Sequence, residues 1–194
     1  MAKTKIPLQL EKLIPFDNVN EILFFYFLCS INPNVKNTKE FKIKEVITFC
    51  HIENMINHHT IKNIFKKFNV IKIRKGLYSY DFTQFVYDYA KNINKKTYTS
   101  IKVRELTAIK NLKNLYSHKI LLLLLFRGSQ FITFDLLTDY FNINPKNKRA
   151  YKKIFKNSLD ILLNAEIIRE YEIKSNGIYD ITYKRYGLLH NIYR

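Results

Sequence analysis

Two stretches decide how this sequence is read. They are Phe131-Ile132-Thr133-Phe134-Asp135-Leu136-Leu137-Thr138 and, further on, Tyr151-Lys152-Lys153-Ile154-Phe155-Lys156. Both recur in the first half, as Phe41 to Thr48 and Ile61 to Lys66. Laying Phe41–Phe68 over Phe131–Ser158 without a gap gives 8 identities in 28 positions, and most other positions keep their apolar or polar character. An ungapped register through two helix-like patterns points to a structural repeat. An apolar run precedes each copy: Ile22-Leu23-Phe24-Phe25-Tyr26-Phe27-Leu28, and Ile120-Leu121-Leu122-Leu123-Leu124-Leu125-Phe126. Both runs are too apolar for a surface helix, so each predicts a buried one.

Element by element, the second copy starts with a buried helix that Ser117 can cap and that ends near Gly128. Phe131-Ile132-Thr133 is a short extended piece. Leu136, Leu137, Tyr140 and Phe141 recur at helical spacing. Asn144 as N-cap and Pro145 at the first helical position launch a third helix running to about Ala165. Its apolar face is Tyr151, Ile154, Phe155, Leu159 and Leu162. Ile167 to Lys174 and Ile178 to Lys184 form a hairpin across Ser175-Asn176-Gly177, since Asn and Gly tolerate positive φ. The first copy repeats the order. A buried helix spans about Asn18 to Ile31, and a strand lies near Phe41 to Ile43. Helices follow over Lys44 to Cys50 and Met55 to Phe68. The hairpin, Val70 to Arg74 and Leu77 to Phe82, turns at Lys75-Gly76. Here the third helix is about two turns shorter. Thr83 to Ile93 and Val103 to Leu115 read as helices that space the two units about one duplex turn, roughly 34 Å, apart. The polar stretch Asn94 to Ser100 lies between them. The expected fold is α+β, mainly α with small β-hairpins, in two tandem units over residues 1–97 and 98–194.

Composition narrows the function classes. Two cysteines, Cys29 and Cys50, cannot build a disulfide framework, which fits a reducing compartment and a cytoplasmic location. No secretory signal is visible, and the longest apolar run is far too short for a bilayer, so no membrane partner is expected. Cys50-His51-Ile52-Glu53 with His58-His59 lacks a second cluster at a familiar ligand spacing, so no metal is expected. The 14 tyrosines are not accompanied by a His-x-His pair that could hold a cation for strand nicking. There is no Walker A sequence, no Gly-x-Ser-x-Gly and only 4 glycines. No catalytic residue and no cofactor are expected.

The net charge of +17 calls for a polyanionic partner only if it is concentrated, because AT-rich codons enrich lysine everywhere. It is concentrated. Lys146, Lys148, Arg149, Lys152, Lys153 and Lys156 stand with no acid among them, and so do Lys62, Lys66, Lys67, Lys72, Arg74 and Lys75. These two segments, 25 residues in all, carry +12, and the other 169 residues carry +5. Lys148, Lys152 and Lys156 share one helical stripe. Asn57, His58, Lys62 and Lys66 are their counterparts on the first third helix, and Lys174 and Asn176 lie at the second hairpin tip. Arg149 suits bidentate contact with guanine, whereas the lysines suit phosphates.

A helix-turn-helix followed by a hairpin resembles the winged-helix family, and two such units in tandem resemble the plasmid replication initiator (Rep) family. The closest stretch is Tyr151-Lys152-Lys153-Ile154-Phe155-Lys156 to Leu162, with Ala165-Glu166-Ile167. The resemblance implies a C-terminal unit that binds double-stranded DNA. It implies an N-terminal unit that forms a homodimer or binds the other half of the site. The first unit's long loop and short third helix depart from that pattern. Sequence-directed DNA binding, as replication initiator or transcription regulator, is the expected function. The alternative is a basic, RNA-binding subunit of a large nucleoprotein assembly.

Overall fold

The computed structural model describes residues 3–7, 16–32, 38–50, 58–82, 98–102, 106, 109–127, 131–141, 143–175 and 178–183. A capping box opens the first buried helix, α1 (Val19–Ile31). The Asn18 side chain accepts from the Glu21 N–H, and the Glu21 carboxylate accepts from the Asp17 N–H and the Asn18 amide. All residues from Glu21 to Cys29 are buried, so the helix has no solvent face. Around it stand β2 (Thr38–Lys42), α2 (Ile43–Cys50), α3 (His58–Lys67), β3 (Ile71–Arg74) and β4 (Leu77–Asp81). The strands form an antiparallel sheet of order β2-β4-β3, with Phe41 opposite Tyr78 and a register shift in β3 between Lys72 and Arg74. Phe65 is the centre of this unit. Its ring lies 5.2 Å from Phe24, 5.9 Å from Phe41 and 4.7 Å from Tyr78.

The second unit repeats this order with α4 (Leu115–Arg127), β6 (Phe131–Thr133), α5 (Phe134–Tyr140), α6 (Lys148–Asn164), β7 (Ile168–Ile173) and β8 (Ile178–Tyr183). Its sheet order is β6-β8-β7, also antiparallel. Phe155 occupies the place of Phe65, fully buried, with Phe134, Phe141 and Tyr151 rings at 5.7, 5.5 and 5.9 Å. Burying each such ring contributes on the order of 1.5–3 kcal/mol. The fold is α+β, with six α-helices among the described residues.

Both third helices end alike. Asn69 (φ 53°) and Glu166 (φ 56°) take the left-handed conformation. The Val70 N–H then reaches the Phe65 carbonyl at 2.8 Å, and the Ile167 N–H reaches the Leu162 carbonyl at 2.9 Å. This is the Schellman closure, which satisfies orphan carbonyls and turns the chain sharply into the hairpin. The first hairpin then turns at Gly76, whose φ of 76° is strained for a residue with a Cβ and free for glycine.

Several boundaries differ from the sequence reading. α4 is capped by Asn114, whose Oδ1 accepts from the Ser117 N–H; Ser117 lies inside the first turn. Asn144 caps a 3₁₀ turn, Pro145–Asn147, through the Lys146 N–H, and α6 begins only at Lys148. The first sheet's edge strand starts at Thr38, because pairing with β4 extends it backwards, and Ile43 already opens α2. Residues 98–100, read as part of a polar connection, belong to β5 (Tyr98–Lys102), which pairs antiparallel with β1 (Lys3–Pro7). Within the stretch read as helix from Val103 to Leu115, residues 112–114 are not helical. The expected helix over Thr83 to Ile93 lies outside the described residues.

The two units touch directly. The Tyr26 hydroxyl of α1 lies 3.4 Å from Nδ1 of His118 on α4, with the rings 5.6 Å apart. Lys110 reaches back to the Phe49 carbonyl at 2.7 Å and lies 4.1 Å over the Phe49 ring.

Candidate nucleic-acid interface

The third helix of the second unit, α6, is sharply two-sided. Phe155, Ser158, Leu159 and Leu162 are buried, while Arg149, Lys152, Lys153 and Lys156 are exposed. Its inner face is fixed by polar contacts as well as by rings. The Ser158 hydroxyl sits 3.1 Å from Asn114 Oδ1, and the Ser117 hydroxyl donates to the Ser158 carbonyl at 3.1 Å. The residue that caps α4 thus also anchors α6. Because the inner face is pinned, the cations cannot rotate inward.

The amino-terminal end of α6 is electrostatically unfavourable when the protein is alone. Its first turn holds no acid, and Asn147 makes no side-chain cap. The helix dipole is positive there, and each nearby cation works against it by about 0.3–1 kcal/mol. Lys146, just before the helix, is exposed as well. An anion at this end relieves both the unmade cap and the crowded charge. The Lys148 side chain lies outside the described residues.

Two of the candidate cations have internal partners. Lys156 Nζ lies 3.1 Å from Asp160 Oδ2. Asp160 also accepts from the Tyr171 hydroxyl of β7, and that bond holds its carboxyl below the usual carboxylate range. Burial, with the same bond, pushes the Tyr171 phenol up to about 12. Lys174 lies 2.8 Å from Asp180 across the second hairpin. Lys152 remains exposed although its ammonium is 5.4 Å from the Phe134 ring centre.

In the first unit, Ile61, Ile64 and Phe65 are buried and Lys62 and Lys66 are exposed, the same division on a shorter helix. Lys67 is different. It lies 2.7 Å from Asp17 and 2.6 Å from the buried Glu21, tying the end of α3 to the start of α1. The first hairpin presents Lys72, Arg74 and Lys75, all exposed, with Ile71 and Ile73 beside them. The second hairpin presents Arg169, Glu170 and Glu172 on its outer strand, one cation against two carboxylates. The two hairpins therefore differ in sign, which their shared element order hides. Asn57 and Asn176 lie outside the described residues, as do His51 and Glu53 and the side chains of His58 and His59.

His118 is fully buried, and burial lowers its pKa to about 4. Cys29 and Cys50 are free and buried, and burial pushes the Cys50 thiol up to about 12. Among the described residues no three His, Cys, Asp or Glu side chains converge as a metal site. No described helix is long and apolar enough to cross a membrane. No protein-family model matches the chain, and no curated protein matches its sequence.

Proposed function

We propose that this protein binds duplex DNA through two winged-helix units, with α6 as the principal reading helix, in replication initiation or transcription regulation. The observation that carries this reading is the exposed row Arg149, Lys152, Lys153 and Lys156 opposite a fully buried face of a 17-residue helix. Such a helix is about 25 Å long, enough to lie in a major groove with its amino-terminal part against base edges. Arg149 near that end addresses guanine, and the lysines address the flanking phosphates. The first unit adds Lys62 and Lys66 from α3 and Lys72, Arg74 and Lys75 from its hairpin.

The test is a titration of fluorescently labelled duplex with the full chain, competed by unlabelled duplex or by heparin of matched charge. Duplex should compete better than heparin once salt has weakened the purely ionic part. Equal competition at every salt concentration would make the cations a general anion surface and remove the case for groove reading.

A further inference from the structure

Among the described residues, two edge strands complement each other. β3 ends the order β2-β4-β3, and β7 ends the order β6-β8-β7. An edge strand offers a row of outward backbone N–H and C=O groups to another strand. Every residue of β3 is exposed, including Ile71 at 64% and Ile73 at 47%. On β7, Arg169, Glu170, Glu172 and Ile173 are exposed, Ile173 at 43%. Ile71, Ile73 and Ile173 are the large apolar side chains most exposed among the described residues, and all three lie on these two strands.

Charge decides which edge can meet which. β3 against β3 sets cation against cation, whereas β7 carries two carboxylates, Glu170 and Glu172, beside Arg169. Aligned antiparallel with Ile71 opposite Ile173, Lys72 faces Glu172, Ile73 faces Tyr171 and Arg74 faces Glu170, and only the last pair, Lys75 with Arg169, is of like sign. Four consecutive positions are then matched, apolar with apolar and cation with carboxylate, and such cross-strand pairs are stabilising where like charges are not.

We propose that copies of this chain associate head to tail, β3 of one copy adding to β7 of the next. Each contact joins two different edges, so association closes into a ring, of two copies or more, or continues as an open row. It uses none of the exposed cations of α6. In the first unit, phosphate and a neighbour's carboxylates compete for Lys72 and Arg74. The association needs no DNA, so it is tested without any, and its failure leaves the DNA-binding reading untouched.

The experiment is sedimentation velocity of the full chain in low salt at rising concentration. Three samples are compared: wild type, a variant with Lys72→Glu and Arg74→Glu, and a variant with Glu170→Lys and Glu172→Lys. The wild type should associate, and added salt should reverse it. Each variant alone should associate at least about tenfold more weakly, because its two edges then carry like charge. An equimolar mixture of the two variants restores opposite charge at every junction and should associate as the wild type does. That mixture also shows that both variants are folded. A wild type that stays monomeric overturns the proposal. So do variants that associate as well as the wild type, or a mixture no larger than its parts.

Discussion

The Tyr26 hydroxyl donates to Nδ1 of His118 at 3.4 Å, joining the two helices that their sequences marked as buried. The direction of this bond follows from the other ring nitrogen. His118 Nε2 lies 2.9 Å from the Leu112 carbonyl, which can only accept, so Nε2 carries the proton and Nδ1 is bare. A neutral histidine thus sits where the two units meet, and protonating it removes the acceptor that Tyr26 uses.

That arrangement predicts acid sensitivity with a defined sign. The folded pKa of about 4 lies below the ordinary value of 6.5, so the unfolded chain takes up the proton first. Stability from this group is complete above pH 6.5 and falls as pH drops toward 4, after which it falls no further. The loss over that window is about 3 kcal/mol. Urea unfolding at a series of pH values should show it, and His118→Gln should flatten the curve there. Parallel curves for the two proteins would mean that His118 is not the group responsible.

Removing the donor alone should cost less. Tyr26→Phe keeps the ring packing and leaves Nδ1 without its partner, so we expect a loss of about 1 kcal/mol in unfolding free energy at neutral pH. No loss would show that the hydroxyl does not join the units.

Adjacent lysines on α3 should separate stability from binding. Lys67→Ala takes the cation from the buried Glu21 carboxylate, leaving it only neutral N–H donors, and should cost about 2 kcal/mol in thermal or urea unfolding. Lys66→Ala, at an exposed position with no acid on its helix, should leave stability within about 0.5 kcal/mol and weaken DNA binding instead. The reverse pattern would misassign both residues.

Asp160 holds Lys156 back from solvent anions. Asp160→Asn keeps an acceptor for Tyr171 but frees the ammonium, so duplex affinity should rise. The log–log salt slope should steepen by about 0.9, one more phosphate contact. An unchanged slope would place Lys156 away from the DNA.

Much of the fold was legible because buried helices and repeats leave strong patterns. The uninterrupted apolar runs located α1 and α4, and the alignment of Phe65 with Phe155 located the centre of each unit. The hairpin turn at Lys75-Gly76 was legible from the glycine. Other features depend on contacts that spacing does not encode. Asn114 rather than Ser117 caps α4 because the helix begins at Leu115, and Asn114 Oδ1 also lies 3.1 Å from the Ser158 hydroxyl, 44 residues away. The pairing of β1 with β5 joins short segments with little apolar alternation. At the candidate interface, the row on α6 was readable from its period. The Lys156–Asp160 pair follows the four-residue spacing of a helix, whereas the withdrawal of Lys67 toward Asp17 and Glu21 depends on the tertiary structure.

The most direct measurement is the salt dependence of duplex affinity for the full chain beside a variant with Arg149→Ala, Lys152→Ala and Lys153→Ala. These side chains are exposed, so circular dichroism should show the variant folded as the wild type is. Each lost phosphate contact lowers the log–log slope by about 0.9, so losing Lys152 and Lys153 should make the variant's slope shallower by about 2, and losing Arg149 as well should weaken its affinity further. A slope and affinity equal to those of the wild type would contradict the assignment of α6 as the helix that meets DNA.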